Sequence, residues 1–302
     1  MEELTLKNQE DLIQTFLDLQ DISETSKKHY RQSLKRYFTW CDDHGLNVLT
    51  ANKIDILKYK QSMIDEKLST YTICLYLTAV RLFYQCAEDN NTGAYRSPAR
   101  GIKGVKKGPG FKKDALTVNQ VKDLLDNSSS QRDRALLLLM VTTGLRTIEV
   151  SRTDIEDIKN IGNSTVLMIQ GKGQLGKDEF VILERPVEKE IRLYLQERRK
   201  RKGPLFVNQM KNGNIKRLHP GSISRIVKES LRGIGLDSRM ITAHSLRHTT
   251  ATLAYLAGAP VEEIQQLMRH RSINTTMIYT HTLDRLKART TRKILDYMYA
   301  KV

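Results

Sequence analysis

Aromatic side chains are scarce in this 302-residue chain, at 6% of residues with a single tryptophan. A large aromatic core is therefore not expected. Cysteine is scarcer still: Cys41, Cys74 and Cys86 are the only three, and their spacing fits no metal-ligand pattern. An odd, low count without a signal peptide implies reduced thiols and a cytoplasmic location. Long hydrophobic runs are missing too. The longest, ALLLLMV at 135–141, falls far short of the roughly 18 residues that span a bilayer. The N-terminus MEELTLKNQEDL is acidic and polar, without a signal-peptide or lipidation pattern. No membrane partner is expected.

What the chain does have is positive charge, +16 net. The excess is lopsided. Residues 1–107 hold 16 Lys+Arg against 14 Asp+Glu, and the remainder holds 34 against 20. A polyanionic partner, nucleic acid above all, explains such a bias better than a solvated basic surface does. The length suits two domains, and 39% hydrophobic with 28% charged residues suits a globular chain.

The first part reads as helical. NQEDLIQTFLDLQ and KIDILKYKQSMIDEK predict shorter helices. ETSKKHYRQSLKRYFTWCDDHG puts Tyr30, Leu34, Tyr37, Phe38 and Cys41 on one stripe and stops at Gly45. STYTICLYLTAVRLFYQCAEDN keeps helical spacing through Ile73, Leu77, Val80 and Tyr84, with Ser69 as N-cap. Four such helices predict a bundle. The composition then shifts. ARGIKGVKKGPGFKKDAL, with four glycines and five lysines, predicts a flexible basic linker able to track phosphates. Beyond it, Thr117 and Gln120 form a capping box, RDRALLLLMVTTG is an apolar helix ended by Gly144, and Pro220 and Pro260 stand where first helical residues belong. STVLMIQ and DEFVIL predict a β-hairpin joined by GKGQLGK. The expected fold is mainly α, with a small antiparallel hairpin or sheet in the second domain.

Five features could carry chemistry, and each alone has a plain structural reading. Arg146 follows Gly144 at a helix junction, with Glu149 three residues on; alone this is an ion pair. Lys172, with Lys177 as its competitor, sits in the glycine-rich hairpin connection, where a lysine is ordinarily solvated. In TAHSLRHTTATL, His244 and His248 share a helix face around Arg247. A zinc pair is disfavoured there: a metalloprotease needs Glu where Ser245 stands, and Arg247 would sit beside the cation. A phosphate suits the planar fork of Arg247 better, with His244 as a hydrogen-bonding or basic partner and His248 left to packing. His270 and Tyr279 follow nine residues apart, Tyr279 among threonines. Together these residues converge on phosphoryl transfer. Two arginines neutralise a phosphodiester, a tyrosine attacks it, histidine takes the tyrosine proton and lysine protonates the departing 5′-oxygen. No metal or other cofactor is expected.

That order, Arg146, Lys172, HSLRH, RH and YTH, resembles the tyrosine recombinase (phage integrase) family over nearly the whole chain. The resemblance implies that Arg146 and Arg247 clamp the scissile phosphate and Tyr279 forms a 3′-phosphotyrosyl link. It implies that Lys172 is the general acid, His244 assists proton transfer, His270 contacts the phosphate and Glu149 supports the site. The implied layout is a core-DNA-binding (SAM-like) domain at 1–99, a linker at 100–113, a catalytic domain at 114–281 and a subunit-docking segment at 282–302, closing as a C-shaped clamp on DNA. Lys106, Lys107, Lys112 and Lys113 are the expected DNA-binding lysines. The family usually carries Gly directly before the later histidine; here Arg269 stands there, expected either to add a DNA contact or to crowd the backbone. The size is nearer to Xer-type or small mobile-element members.

The leading expectation is a site-specific recombinase that acts as a homotetramer on double-stranded DNA sites, through a Holliday junction, with its C-terminal segment docked in trans. It would serve integration, excision or resolution. A type IB topoisomerase uses nearly the same residues but acts as a monomer. A non-catalytic DNA-binding regulator would lack Tyr279 or an arginine, and a metal nuclease would need carboxylates the sequence does not group.

Overall fold

The structure, a computed structural model, describes residues 6–90, 95–106, 114–171, 174–209, 215–238, 240–270, 272–274, 276–277 and 290–299. The chain divides into two compact units, Met1–Phe111 and Lys112–Val302. Among the described residues, no helix is long and apolar enough to cross a membrane.

The first unit is built on α1 (Leu6–Asp18), α2 (Glu24–Asp43), α3 (Lys53–Asp65) and α4 (Thr70–Asp89). Their starts are written in the sequence: Ser23, Asn52 and Ser69 each accept an amide from the following turn. The stripe expected on α2 is buried from Leu34 to Cys41, and so are Ile73, Leu77, Val80 and Tyr84 of α4. The core departs from expectation in one respect. Phe16, Tyr37, Phe38, Tyr59, Phe83 and Tyr84 stack edge-on or tilted against one another in it. A low overall aromatic fraction hid this local concentration. Two of the three buried phenols satisfy each other, with Tyr37 and Tyr84 hydroxyls 2.8 Å apart and Tyr84 donating to the Val48 carbonyl.

The linker also needs correction. Residues expected to be flexible from position 100 are packed back onto the bundle up to Val105. Ile102 is buried, Lys60 Nζ donates to the Lys103 carbonyl at 2.9 Å, and Gly104 lies so close that a Cβ would stand 2.8 Å from Cys74 Sγ. The glycines here serve close approach as much as flexibility.

The second unit begins with α5 (Val118–Asp126), opened by the Thr117–Gln120 capping box, and α6 (Gln131–Thr143). Helix α6 is apolar nearly all round. Ala135, Leu136, Leu137, Leu139, Met140 and Val141 are all buried, so it is the central helix of its core. It ends at Gly144, whose left-handed φ of 62° lets the chain turn sharply into α7 (Thr147–Arg152). A short 3₁₀ turn (Ile155–Asp157) leads to β1 (Ile158–Ile161), β2 (Ser164–Ile169) and β3 (Glu179–Ile182). These form an antiparallel sheet in the order β1-β2-β3, with Ile158 opposite Leu167 and Ile169 opposite Glu179. The hairpin β2–β3 is the expected one. Strand β1 has little apolar alternation, which is why the sequence does not announce it.

After α8 (Arg185–Arg198) comes a two-stranded ribbon, β4 (Val207–Gln209) and β5 (Ile215–Arg217), too short and polar to read from pattern. Then come α9 (Pro220–Gly233), α10 (Ala243–Leu256), α11 (Val261–Met268) and a final helix, Thr290–Tyr299. Pro220 is the first residue of α9 as expected, whereas Pro260 is the cap of α11, one position earlier than expected.

Gly144→Ala tests the α6–α7 junction. An L-residue at this φ costs about 1–2 kcal/mol. The added Cβ would also lie 2.8 Å from the Sδ of buried Met268. Urea unfolding should show a loss of about 1–3 kcal/mol with an unchanged m-value. Parent-like stability would show that the turn is not under this constraint.

Candidate active site

The junction after Gly144 delivers the first arginine. Arg146 caps α7, and Glu149, three residues on, reaches back to it twice. Glu149 Oε2 accepts the Arg146 amide at 2.8 Å, and Oε1 accepts the guanidinium at 2.6 Å. One glutamate thus closes the helix start and fixes the side chain. Glu149 is fully buried. Burial works to raise its carboxyl pKa, but the Arg269 charge and the Arg146 amide and guanidinium outweigh it and hold the group below its ordinary value.

The second arginine comes from the second turn of α10. Thr242 caps this helix, and its amide donates to Ser245 Oγ at 3.0 Å. The position where a zinc protease would need Glu therefore holds a buried capping serine. Among the described residues, no group of three or more His, Cys, Asp or Glu side chains converges to hold a metal ion. Arg247 is 2% exposed. It donates to the carbonyls of Gly144 and Met268, the ends of α6 and α11. His244, one turn earlier, is exposed, and its ring meets that of His248 edge-on at 5.4 Å.

Arg146, His244 and Arg247 line one open cleft of about 760 Å³ at the N-terminus of α10. Arg225, Lys228, Ser224 and Thr242 line it too. Among the described residues no carboxylate does. A helix N-terminus, two arginines and two further cations favour a bound anion. Arg225 and Lys228 were missed in the sequence. They lie three apart on the polar face of α9, where nothing separates them from solvated residues.

His270 follows α11. Its Nδ1 is 2.9 Å from the hydroxyl of Thr276, one of the threonines near Tyr279 in sequence. Burial, then the charges of Arg247, Arg146 and Arg269 and the ring of His244, push its pKa from 6.5 down to about 4. His270 therefore lies within the field of the arginines and of His244. Lys172, Tyr279, Lys107, Lys112 and Lys113 fall outside the described residues; Lys106 is exposed in the first unit. Lys177, the competitor of Lys172, is held by Asp154 and Asp157 at 2.8 and 2.5 Å, which makes it a structural ion-pair residue.

Arg269 departs from the expectation of an outward DNA contact. It takes a left-handed backbone, φ 50° and ψ 48°, at the end of α11. For a non-glycine residue this costs about 1–2 kcal/mol. Its side chain is 10% exposed and turned inward, 3.2 Å from Glu149 Oε2 and 3.9 Å from Glu179 Oε2, and it donates to the Leu267 carbonyl at 2.7 Å. These bonds offset the backbone strain.

The depressed His270 pKa has a sign that can be measured. The folded protein stays neutral there where the unfolded chain takes up a proton. This group's contribution to stability is therefore intact above about pH 6.5 and is lost as pH falls toward about 4. NMR titration of the His270 ring in the DNA-free protein should give a midpoint near 4. A midpoint near 6.5 would remove the arginine field from the site.

Residues 114–285 match the Phage integrase family, and residues 13–91 match its N-terminal SAM-like domain. The tyrosine recombinase XerA of Pyrococcus furiosus is 32% identical over 268 residues, covering 88% of this chain and 86% of that one. The fold is similar to that of the XerH site-specific recombinase bound to palindromic difH in a post-cleavage complex. There the TM-score is 0.75 at 20% identity, with 97% of this chain and 86% of that one covered. It is also similar to lambda integrase in a tetramer bound to a Holliday junction, with a TM-score of 0.69 at 16% identity and coverage of 90% and 77%. A family match across this much of both units places the chain in the phage integrase family, the tyrosine recombinases, enzymes of site-specific DNA recombination.

Proposed function

We propose that this recombinase works through Tyr279 as nucleophile. The Tyr279 oxygen attacks the scissile phosphorus as the bond to the 5′-oxygen breaks, leaving a 3′-phosphotyrosyl link and a free 5′-hydroxyl. His244 assists removal of the tyrosine proton, and Lys172 gives a proton to the departing 5′-oxygen. Arg146 and Arg247 bind the non-bridging oxygens and neutralise the charge that grows in the transition state; His270 contacts the same phosphate. Glu149 holds Arg146 in place. A 5′-hydroxyl from the partner site then attacks the link and frees the tyrosine, so strands are exchanged without an external energy source.

The observation that carries this reading is the convergence of Arg146, His244 and Arg247 on one cleft, with His270 in the field of both arginines. A neutral His270 at physiological pH suits a hydrogen-bonding role better than a proton-carrying one.

In the same reading the enzyme assembles as a homotetramer on two duplex sites and passes through a Holliday junction, in integration, excision or dimer resolution. The helix Thr290–Tyr299 supports subunit docking in trans: Ile294, Leu295, Tyr297, Met298 and Tyr299 are exposed on it. Lys106, Lys107, Lys112 and Lys113 would contact the DNA backbone.

Tyr279→Phe should bind its site normally yet form no covalent complex on a nicked suicide duplex; a covalent complex from this variant would end the assignment. Cleavage should proceed in EDTA, since the arginines carry the electrostatic load. Affinity for DNA should fall on the order of 10³-fold or more between 50 and 200 mM salt, because releasing counterions gains less as the bulk salt rises. A flat response in a binding titration would remove the phosphate-contact argument.

A further inference from the structure

The inward turn of Arg269 leaves a question the proposed mechanism does not use. Its side chain contacts carboxylates on two different elements, Glu149 in α7 and Glu179 at the start of β3. Glu149 belongs to the arginine clamp. Glu179 belongs to the other side of the site, the β2–β3 connection. There Gln174 Nε2 donates to Glu179 Oε1 at 3.0 Å, and Gln174 Oε1 accepts the Gly171 amide at 2.9 Å. Gln170 Nε2 donates back to the Gln174 carbonyl at 2.7 Å. A chain of polar contacts therefore runs from Arg146 through Glu149, Arg269, Glu179 and Gln174 to Gly171; its Arg269–Glu179 step is a 3.9 Å ion pair without a hydrogen bond, and the others are hydrogen bonds. Gly171 is the residue directly before Lys172.

We propose that Arg269 is a positioning residue for leaving-group protonation, tying the stem of the β2–β3 connection to the arginine clamp. The inference rests on the reading of Lys172 as general acid. A glycine at position 269 has no side chain to make this link. The device is thus a property of this chain and not of the usual family residue at that place. The αL backbone fits it. Backbone strain of this kind persists only where the surroundings hold the residue, and here hydrogen bonds to Glu149 and the Leu267 carbonyl hold its side chain. A fork is needed as well as a charge. One edge of the guanidinium faces Glu149 and Leu267, while Nε faces Glu179. A lysine ammonium offers a single point of contact.

The test separates protonation from everything else the residue does. Two nicked suicide duplexes are compared in single-turnover covalent-complex formation. One carries the ordinary scissile phosphodiester, the other a sulfur in place of the bridging 5′-oxygen. A thiol ionises near pH ~8.5, so the sulfur leaves as thiolate without a general acid. Arg269→Gly and Arg269→Lys should each slow the ordinary substrate by about tenfold or more, and the sulfur substrate by less than about twofold. Gln174→Ala should show the same split. Site binding at parental affinity establishes that each variant is folded, and Arg269→Lys keeps the buried charge should Arg269→Gly fail that check.

Equal slowing of both substrates, or of neither, overturns the inference. Lys172→Ala is the control that protects the distinction. If it shows the split and the Arg269 variants do not, Lys172 stands as the acid and Arg269 falls as its positioning residue. If Lys172→Ala shows no split, the acid is elsewhere and both fall.

Discussion

The second unit is organised around one buried cation. Arg247 is almost wholly removed from water, and an uncompensated guanidinium in such a place would be severely destabilising. Two main-chain carbonyls meet it, those of Gly144 and Met268. These are the last carbonyls of α6 and α11, where helix hydrogen bonding runs out and the negative end of each macrodipole lies. One side chain on α10 therefore satisfies two helix ends at once. Three helices are fixed by the residue that the proposed mechanism also needs for phosphate. In that mechanism stability and catalysis share a single group, whose orientation is set before any DNA arrives.

The same economy governs the remaining charges. The cleft gathers Arg146, Arg225, Lys228 and Arg247, and the buried carboxylate of Glu149 supports it from behind. Glu149 is shared between Arg146 and Arg269, so it does not fully neutralise Arg146. The surplus of positive charge is what a phosphate would complete. It also bears on His270: burial first, and then the cations near it, keep the proton off the imidazole, so the ring is neutral at physiological pH.

Much of this was legible in the sequence, because the signals were local. The Thr117–Gln120 box, Ser69 at the start of α4, Gly144 at the end of α6 and the Arg146–Glu149 pair are each set by neighbours within four residues. The two arginines could be paired in advance because phosphate chemistry demands both. What stayed hidden was long-range. Arg269 points inward because Glu149 lies 120 residues away in sequence and a few ångströms away in space. Strand β1 exists because β2 pairs with it, not because IKNI favours a strand. The aromatic core of the first unit was missed because an average over the whole chain says nothing of clustering. Residues 100–106 look like a linker by composition, and only the nearby Cys74 thiol shows why Gly104 must be glycine.

The anchoring of Arg247 to main-chain oxygens has a bearing on how this site can change over generations. A clamp held by side chains can be lost by altering any one of them. Here the acceptors at 144 and 268 are carbonyls, present whatever residue occupies the position. Met268 can drift to another residue of similar bulk without withdrawing its oxygen. Only a shift of the backbone removes the anchor. The geometry therefore constrains the glycine that shapes the turn more tightly than the residue that ends α11, which need only keep its buried bulk.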